Sequence, residues 1–119
     1  MSANPYTYKI KNIVRYVDGD TVDVLIDLGF DITIKKRVRL YGINTPEIRT
    51  RDLVEKKAGF AAKTYLEEAC ALSESTSCLL LESVGIGKFG RVLGNIYNDN
   101  ININQLMISE GHATEYYGR

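Results

Sequence analysis

Between residues 22 and 28 the chain alternates: Val22, Val24, Ile26 and Leu28 fall on one parity, and Asp23, Leu25 and Asp27 on the other. A period of two sends successive side chains to opposite faces, so this run predicts a half-buried strand ending at Gly29. Beyond a turn at Gly29-Phe30-Asp31, Ile32, Ile34, Val38 and Leu40 share one face. Thr33, Lys35, Arg37 and Arg39 share the other, with Lys36 the one breach, so Arg39 leaves the sheet on its polar side. Residues 6–17 have strand composition but alternate less cleanly, and Asp18-Gly19-Asp20 turns the chain between these first two strands.

From Ala58 the period changes. Residues 58, 61, 62, 65, 66, 69 and 70 form one stripe of Ala, Tyr, Leu and Cys at helical spacing, opposite Lys57, Lys63, Thr64, Glu67 and Glu68. A polar connection at 73–77 leads to a fourth strand at 78–84, and a loop at 85–90 leads to a fifth at 91–97. After the turn Asn98-Asp99-Asn100 comes a short helix with Asn102 as N-cap, Ile103, Leu106 and Met107 inward, and Gly111 as its stop. The order predicts a mainly β fold with α: a five-stranded Greek-key barrel of the OB type. One helix lies between strands 3 and 4, and a short helix lies at the C-terminal end. With 119 residues, 45% of them hydrophobic, one domain spanning 1–119 is expected, with a flexible arm at 1–5.

Fifteen basic and fifteen acidic residues cancel, so net charge does not indicate a non-specific polycation, and any site for a polyanion must be a local patch. Cys70 and Cys78 lack CxxC spacing and read as reduced packing thiols. The N-terminal residues lack an apolar region, no apolar run approaches the length of a membrane span, and no Asn-x-Ser/Thr acceptor occurs. The expectation is a cytoplasmic monomer with no membrane contact and no obligate protein partner.

Candidate chemistry gathers at strand ends. Arg39-Leu40-Tyr41-Gly42-Ile43-Asn44-Thr45-Pro46-Glu47 places an arginine, an oxygen donor and a glutamate within nine residues, one hairpin after Asp18-Gly19-Asp20-Thr21. If the barrel closes, Asp20, Arg39, Asn44, Glu47 and Arg91 converge. Phosphodiester cleavage needs such a set: oxygen ligands for a hard cation, a carboxylate to activate water, and guanidinium forks for the phosphate. Each residue also has an ordinary reading, as a turn, a helix cap or a solvated strand arginine. Two literal motif matches fail. Asp18-Gly19-Asp20 cannot open an EF-hand, because Val22 and Asp23 fall where a ligand and a glycine belong. Gly85-Ile86-Gly87-Lys88-Phe89-Gly90 matches GxGxxG but precedes a strand instead of a helix. His112, the only histidine, is assigned no role.

The chain resembles the staphylococcal nuclease (thermonuclease) family. The matching pieces are Val17-Asp18-Gly19-Asp20-Thr21-Val22, Arg39 with Thr45-Pro46-Glu47, Lys57-Ala58-Gly59, Lys88-Phe89-Gly90-Arg91, Gly94-Asn95-Ile96-Tyr97 and Glu110-Gly111-His112-Ala113. They keep the family's order from about residue 14 to 117. The resemblance implies an OB-fold and a calcium-dependent nuclease acting on DNA and RNA and leaving 3′-phosphate ends. It implies Asp20 as the principal Ca2+ carboxylate, Asn44 and the Thr45 carbonyl as further ligands, and Asp18 as a nearby acid. Glu47 matches the general base or water positioner. Arg39 and Arg91 match the two phosphate-binding arginines, with Arg91 nearer the leaving 5′-oxygen, and Lys88, Phe89 and Tyr117 fall in the nucleotide-binding set.

Three positions depart from the family pattern. Asn44 stands where the best-known members carry a second calcium-binding aspartate, Phe89 replaces a tyrosine, and Gly87 replaces an aspartate. Loss of a ligand charge lowers calcium affinity. Two other classes therefore remain open: a catalytically weak or inactive nucleic-acid-binding module, and a structural OB domain whose arginines and acids only form surface ion pairs.

Overall fold

The computed structural model describes residues 5–71 and 79–117; all but the last residue of the expected arm at 1–5, the connection at 73–77 and Cys78 lie outside the described residues. β1 (Thr7–Asp18), β2 (Thr21–Asp27) and β3 (Thr33–Leu40) form an antiparallel meander. β1 changes register against β2 between Ile10 and Asn12, Ile13 and Arg15, and Tyr16 and Asp18. Each shift inserts a residue and coils the strand, which is why its apolar residues do not alternate cleanly.

β3 leads through the two-residue β4 (Ile43–Asn44) to α1 (Leu53–Cys70), and then come β5 (Leu79–Ile86) and β6 (Val92–Asn98). β5 pairs with both β1 and β6, and the start of β6 lies parallel to the end of β3, with Val38 opposite Val92 and Leu40 opposite Gly94. That last pairing closes the five-stranded barrel with α1 between its third and fourth long strands, as the sequence predicts. β5 runs two residues past its expected end, which shortens the following loop.

α1 begins five residues before the predicted stripe, because the Asp52 side chain accepts hydrogen bonds from the Val54 and Glu55 amides and caps it there. Leu53 and Val54 are exposed in its first turn, so apolar periodicity does not mark its start. The stripe itself is rotated: Gly59, Ala62, Leu66, Ala69 and Cys70 are buried, while Ala58 and Ala61 face solvent. Burial raises the Cys70 thiol to about 11, consistent with an inert packing group. α2 (Ile103–Ser109) is capped by the Asn102 side chain, which accepts from the Gln105 amide at 3.2 Å, and it stops before Gly111. Ile103 and Met107 are fully buried and Leu106 partly so.

Two small ladders were not foreseen. β7 (Ile101–Asn102) folds back on β6 through Asp99 and Asn100, both with positive φ. β8 (Thr114–Glu115) pairs with β4, so that Asn44 is held opposite Thr114.

The outer part of the β2–β3 hairpin departs from the pattern. Leu28, Ile32 and Ile34 are exposed despite sharing parity with the core, and Phe30 at the tip is 95% exposed. β3 gains β6 as a neighbour only from Val38, so before that point the hairpin projects past the barrel wall. Among the described residues no helix is long and apolar enough to cross a membrane.

Candidate functional site

Asp20 lies in the turn between β1 and β2 and is 7% exposed. Its Oδ1 accepts from Thr21 Oγ1 at 2.9 Å, and its Oδ2 accepts from the Thr45 amide at 3.1 Å. One short turn is thereby joined to a loop twenty-five residues later. The Leu40 amide also donates to the Asp20 main-chain carbonyl at 2.8 Å, so the residue is held through both its backbone and its carboxylate. Such anchoring limits reorganisation when charge changes nearby.

Arg39 points into the same region. Its Nη1 donates to the carbonyls of Leu40 and Ile43, both at 2.9 Å, and lies 3.6 Å from Asp20 Oδ2. Its Nη2 donates to Asn44 Oδ1 at 3.4 Å. These contacts hold the guanidinium while leaving part of the fork open to a further acceptor. Asn44 is exposed at its edge.

Glu47 is exposed on the loop after Thr45, and its amide donates to Glu55 Oε2 at 3.2 Å. A Cβ added to Gly59 would come within 2.9 Å of the carbonyls of Pro46 and Glu47, so the glycine lets this loop lie directly on α1. Asp18 is close enough to feel both neighbouring acids. Burial raises its carboxyl above the usual range, the charges of Asp20 and Glu47 add to this, and Arg49 and Lys63 offset it.

Arg91 approaches from the opposite side, after the 3-10 turn Lys88–Gly90. Its Nε donates to the Lys88 carbonyl at 3.3 Å. Arg39, Asn44, Lys88, Arg91, Tyr116 and Tyr117 line one cleft of about 760 Å³, so the structure brings together both arginines, the asparagine, the lysine and the tyrosine of the expected set. Glu47 and Thr45 line a neighbouring groove that meets this cleft at Asn44. Phe89 is not part of the cleft. It is 96% exposed and lines a separate groove on the far side of Arg91.

Tyr41, Gly42 and Tyr116, to which the sequence reading gives no role, also line the cleft. Tyr117 packs its ring edge-on to Tyr41 at 5.4 Å, lying over Gly42, where a Cβ would come within 2.8 Å of the ring. Gly42 has φ +82, so two constraints require glycine there. Asn104 is fully buried; its Nδ2 donates to the Tyr41 and Gly94 carbonyls at 2.8 and 3.1 Å, and its Oδ1 accepts from the Ile96 amide at 3.2 Å. A single asparagine in a short helix carries no signal of this role. His112 stacks on Tyr65 at 4.8 Å, a packing contact.

The groups that the resemblance implies for a cation are all oxygens: the Asp20 carboxylate, the Asn44 amide oxygen and the Thr45 carbonyl. Each Asp20 oxygen accepts one hydrogen bond and keeps a lone pair, and the buried Thr45 Oγ1 has no hydrogen-bond partner among the described residues. This chemistry fits a hard divalent ion. Among the described residues no three His, Cys, Asp or Glu side chains form a ligand cluster, so the set carries little negative charge.

Residues 37–119 match the family model described as staphylococcal nuclease homologue. The chain belongs to this family. The match begins in β3, so the Asp18–Thr21 segment lies before it. Among curated relatives of the family member, the micrococcal nuclease of Shigella flexneri is 30% identical over 118 residues, covering 90% of this chain and 59% of that protein. The protein ParB of Escherichia coli is 29% identical over 113 residues, with 87% and 55% covered. An uncharacterised protein of Bacillus anthracis is 28% identical over 105 residues, with 88% and 46% covered. The chain spans about half the length of the curated relatives it matches.

Proposed function

We propose that this staphylococcal nuclease homologue is a calcium-dependent nuclease that hydrolyses phosphodiester bonds of DNA or RNA and leaves 3′-phosphate ends. The observation that carries this reading is the coupling of Asp20 to Arg39 at 3.6 Å, at the edge of a cleft that also receives Arg91. A phosphate in that cleft meets two guanidinium groups, one from β3 and one from the residue between the Lys88–Gly90 turn and β6.

Asp20, Asn44 and the Thr45 carbonyl hold Ca2+, which, when bound, supplies positive charge beside the phosphate. Glu47 accepts a proton from water as the water oxygen bonds to phosphorus. The bond from phosphorus to the 5′-oxygen breaks, the phosphate stays on the 3′-side, and the departing oxygen takes up a proton. Arg39 and Arg91 neutralise charge that builds on the phosphate oxygens, and Arg91 stands on the leaving-group side. Lys88 adds a point charge at the rim, and Tyr41, Tyr116 and Tyr117 offer ring surface to a sugar or base. Asp18 lowers the cost of holding a cation by adding a carboxylate nearby.

A second reading has its own observation. Asn44 contributes no charge and its oxygen already accepts from Arg39, so a binding module of the same family with weak or no cutting is the alternative. The test is cleavage of single-stranded DNA and RNA with millimolar calcium and again with a chelator, with end-group analysis of the products. Calcium-dependent cutting that leaves 3′-phosphates is the expected result. Salt-sensitive binding with no cutting in either condition would replace it with the binding module.

A further inference from the structure

Beyond Arg91 lies a second groove of about 470 Å³, lined by Lys35, Lys36, Arg37, Phe89, Gly90 and Arg91. It exists because β3 and β6 part company: their parallel pairing begins at Val38 and Val92, which leaves the earlier part of β3 facing the Lys88–Gly90 turn across a gap. The Lys36 breach in the alternation of β3 falls in this gap. Arg37 is already neutralised by Asp23, which accepts from its Nε at 2.8 Å and its Nη2 at 3.1 Å. Among the described residues Lys35 and Lys36 form no close ion pair, and both are exposed, with the charge of Lys35 acting on Asp23 only as a minor contribution beside Arg37.

Phe89 makes the groove more than a basic patch. Its backbone sits at φ 60 and ψ 26, a left-handed conformation that a bulky residue rarely adopts, and its ring is 96% exposed. An exposed aromatic face beside two exposed lysines is the combination that binds unpaired bases and their backbone. A duplex would keep its bases stacked away from such a ring. Arg91 lines both grooves, so the two adjoin at its side chain.

We propose that a single nucleic-acid strand held in the Arg39–Arg91 cleft continues past Arg91 into this second groove, with its phosphates on Lys35 and Lys36 and a base on Phe89. The inference rests on the nucleic-acid reading of the cleft but not on catalysis. It assigns three exposed residues to the grip on strands longer than the cleft can hold.

The test is fluorescence anisotropy with a labelled single strand of about ten nucleotides and with a labelled dinucleotide, calcium chelated throughout. The wild type binds the longer strand at least about tenfold more tightly than the dinucleotide. The Lys35→Gln/Lys36→Gln double variant loses most of that advantage, and its salt slope for the longer strand falls by about 1.4, the increment for two phosphate contacts. Phe89→Leu weakens the longer strand by about fivefold or more, and Phe89→Tyr restores it. Unchanged affinity and salt slope in the lysine double variant would overturn the groove, as would an equal loss for both ligands. Cutting is not read out here. A wild type that needs Lys35 and Lys36 to bind yet never cuts would keep the groove and remove the nuclease, whereas cutting with lysine-independent binding would do the reverse.

Discussion

Arg39 and Arg91 reach one cleft by different means. Arg39 makes two hydrogen bonds to backbone carbonyls and one to Asn44, with Asp20 alongside, and its side chain is only 16% exposed. Arg91 has one side-chain bond, at 3.3 Å, to a carbonyl of a three-residue turn whose middle residue has positive φ. The first arginine is part of the barrel's own hydrogen bonding; the second is free to follow a ligand. On the proposed function, loss of Arg39 is expected to affect fold and chemistry together, and loss of Arg91 chemistry alone.

The sharpest contrast comes from Arg39→Ala. It leaves the Leu40 and Ile43 carbonyls without their donor and Asp20 without its cation, so unfolding free energy falls by about 2–4 kcal/mol, and cutting falls by at least about a thousandfold. Thermal unfolding and a cleavage time course measure the two losses. Asn104→Leu comes next. It removes three bonds to backbone groups, one of them at Tyr41 in the cleft wall, and should cost about 3 kcal/mol by denaturant unfolding, with a smaller loss in kcat/KM. A cost below about 1 kcal/mol would mean that this side is less firmly built than its bonds imply.

Asn44→Asp probes the ground between the two arginines. The added charge should lower the calcium needed for half-maximal cutting by about tenfold, a change of about 1.4 kcal/mol in binding. The smallest effect is expected at Asp23, whose carboxyl is held below its usual range chiefly by its hydrogen bonds from Arg37. A depressed folded value contributes stability above the unfolded value and loses it as pH falls through the folded one. Asp23→Asn should therefore cost about 1 kcal/mol at neutral pH, discounted because Arg37 is partly exposed, and nothing once acid has protonated Asp23 in the wild type. Melting curves across that range decide it.

Much of this was legible along the chain because alternation and caps are local. Val22, Val24 and Ile26 specified β2, and Asn102 and Gly111 bounded α2, each through contacts within a few residues. The same rule failed wherever the cause was distant. Ile32 and Ile34 have core parity yet stand exposed, because whether β3 is covered depends on where β6 joins it, more than fifty residues later. The β4–β8 ladder likewise arises between segments about seventy residues apart, whereas the bulges of β1 form against neighbouring β2 and mark the sequence only as imperfect alternation. At the site, Asp20, Arg39, Asn44 and Arg91 stood out as charged or amide groups at strand ends and do converge. Asn104 did not stand out, since its three bonds come from burial that a single polar letter cannot announce. Phe89 was placed in the nucleotide set, and a left-handed backbone turns it to the adjoining groove instead.

The most direct test is Arg91→Lys, with cleavage rate and thermal unfolding measured on the same preparation in calcium. Lysine keeps the charge but cannot make two parallel bonds to a phosphate, and the native arginine contributes little to the fold. The expected result is an unchanged melting temperature with cutting reduced by about a hundred- to a thousandfold. Cutting at the wild-type rate by a normally folded Arg91→Lys protein would contradict the assignment of this cleft as the place where the phosphate reacts.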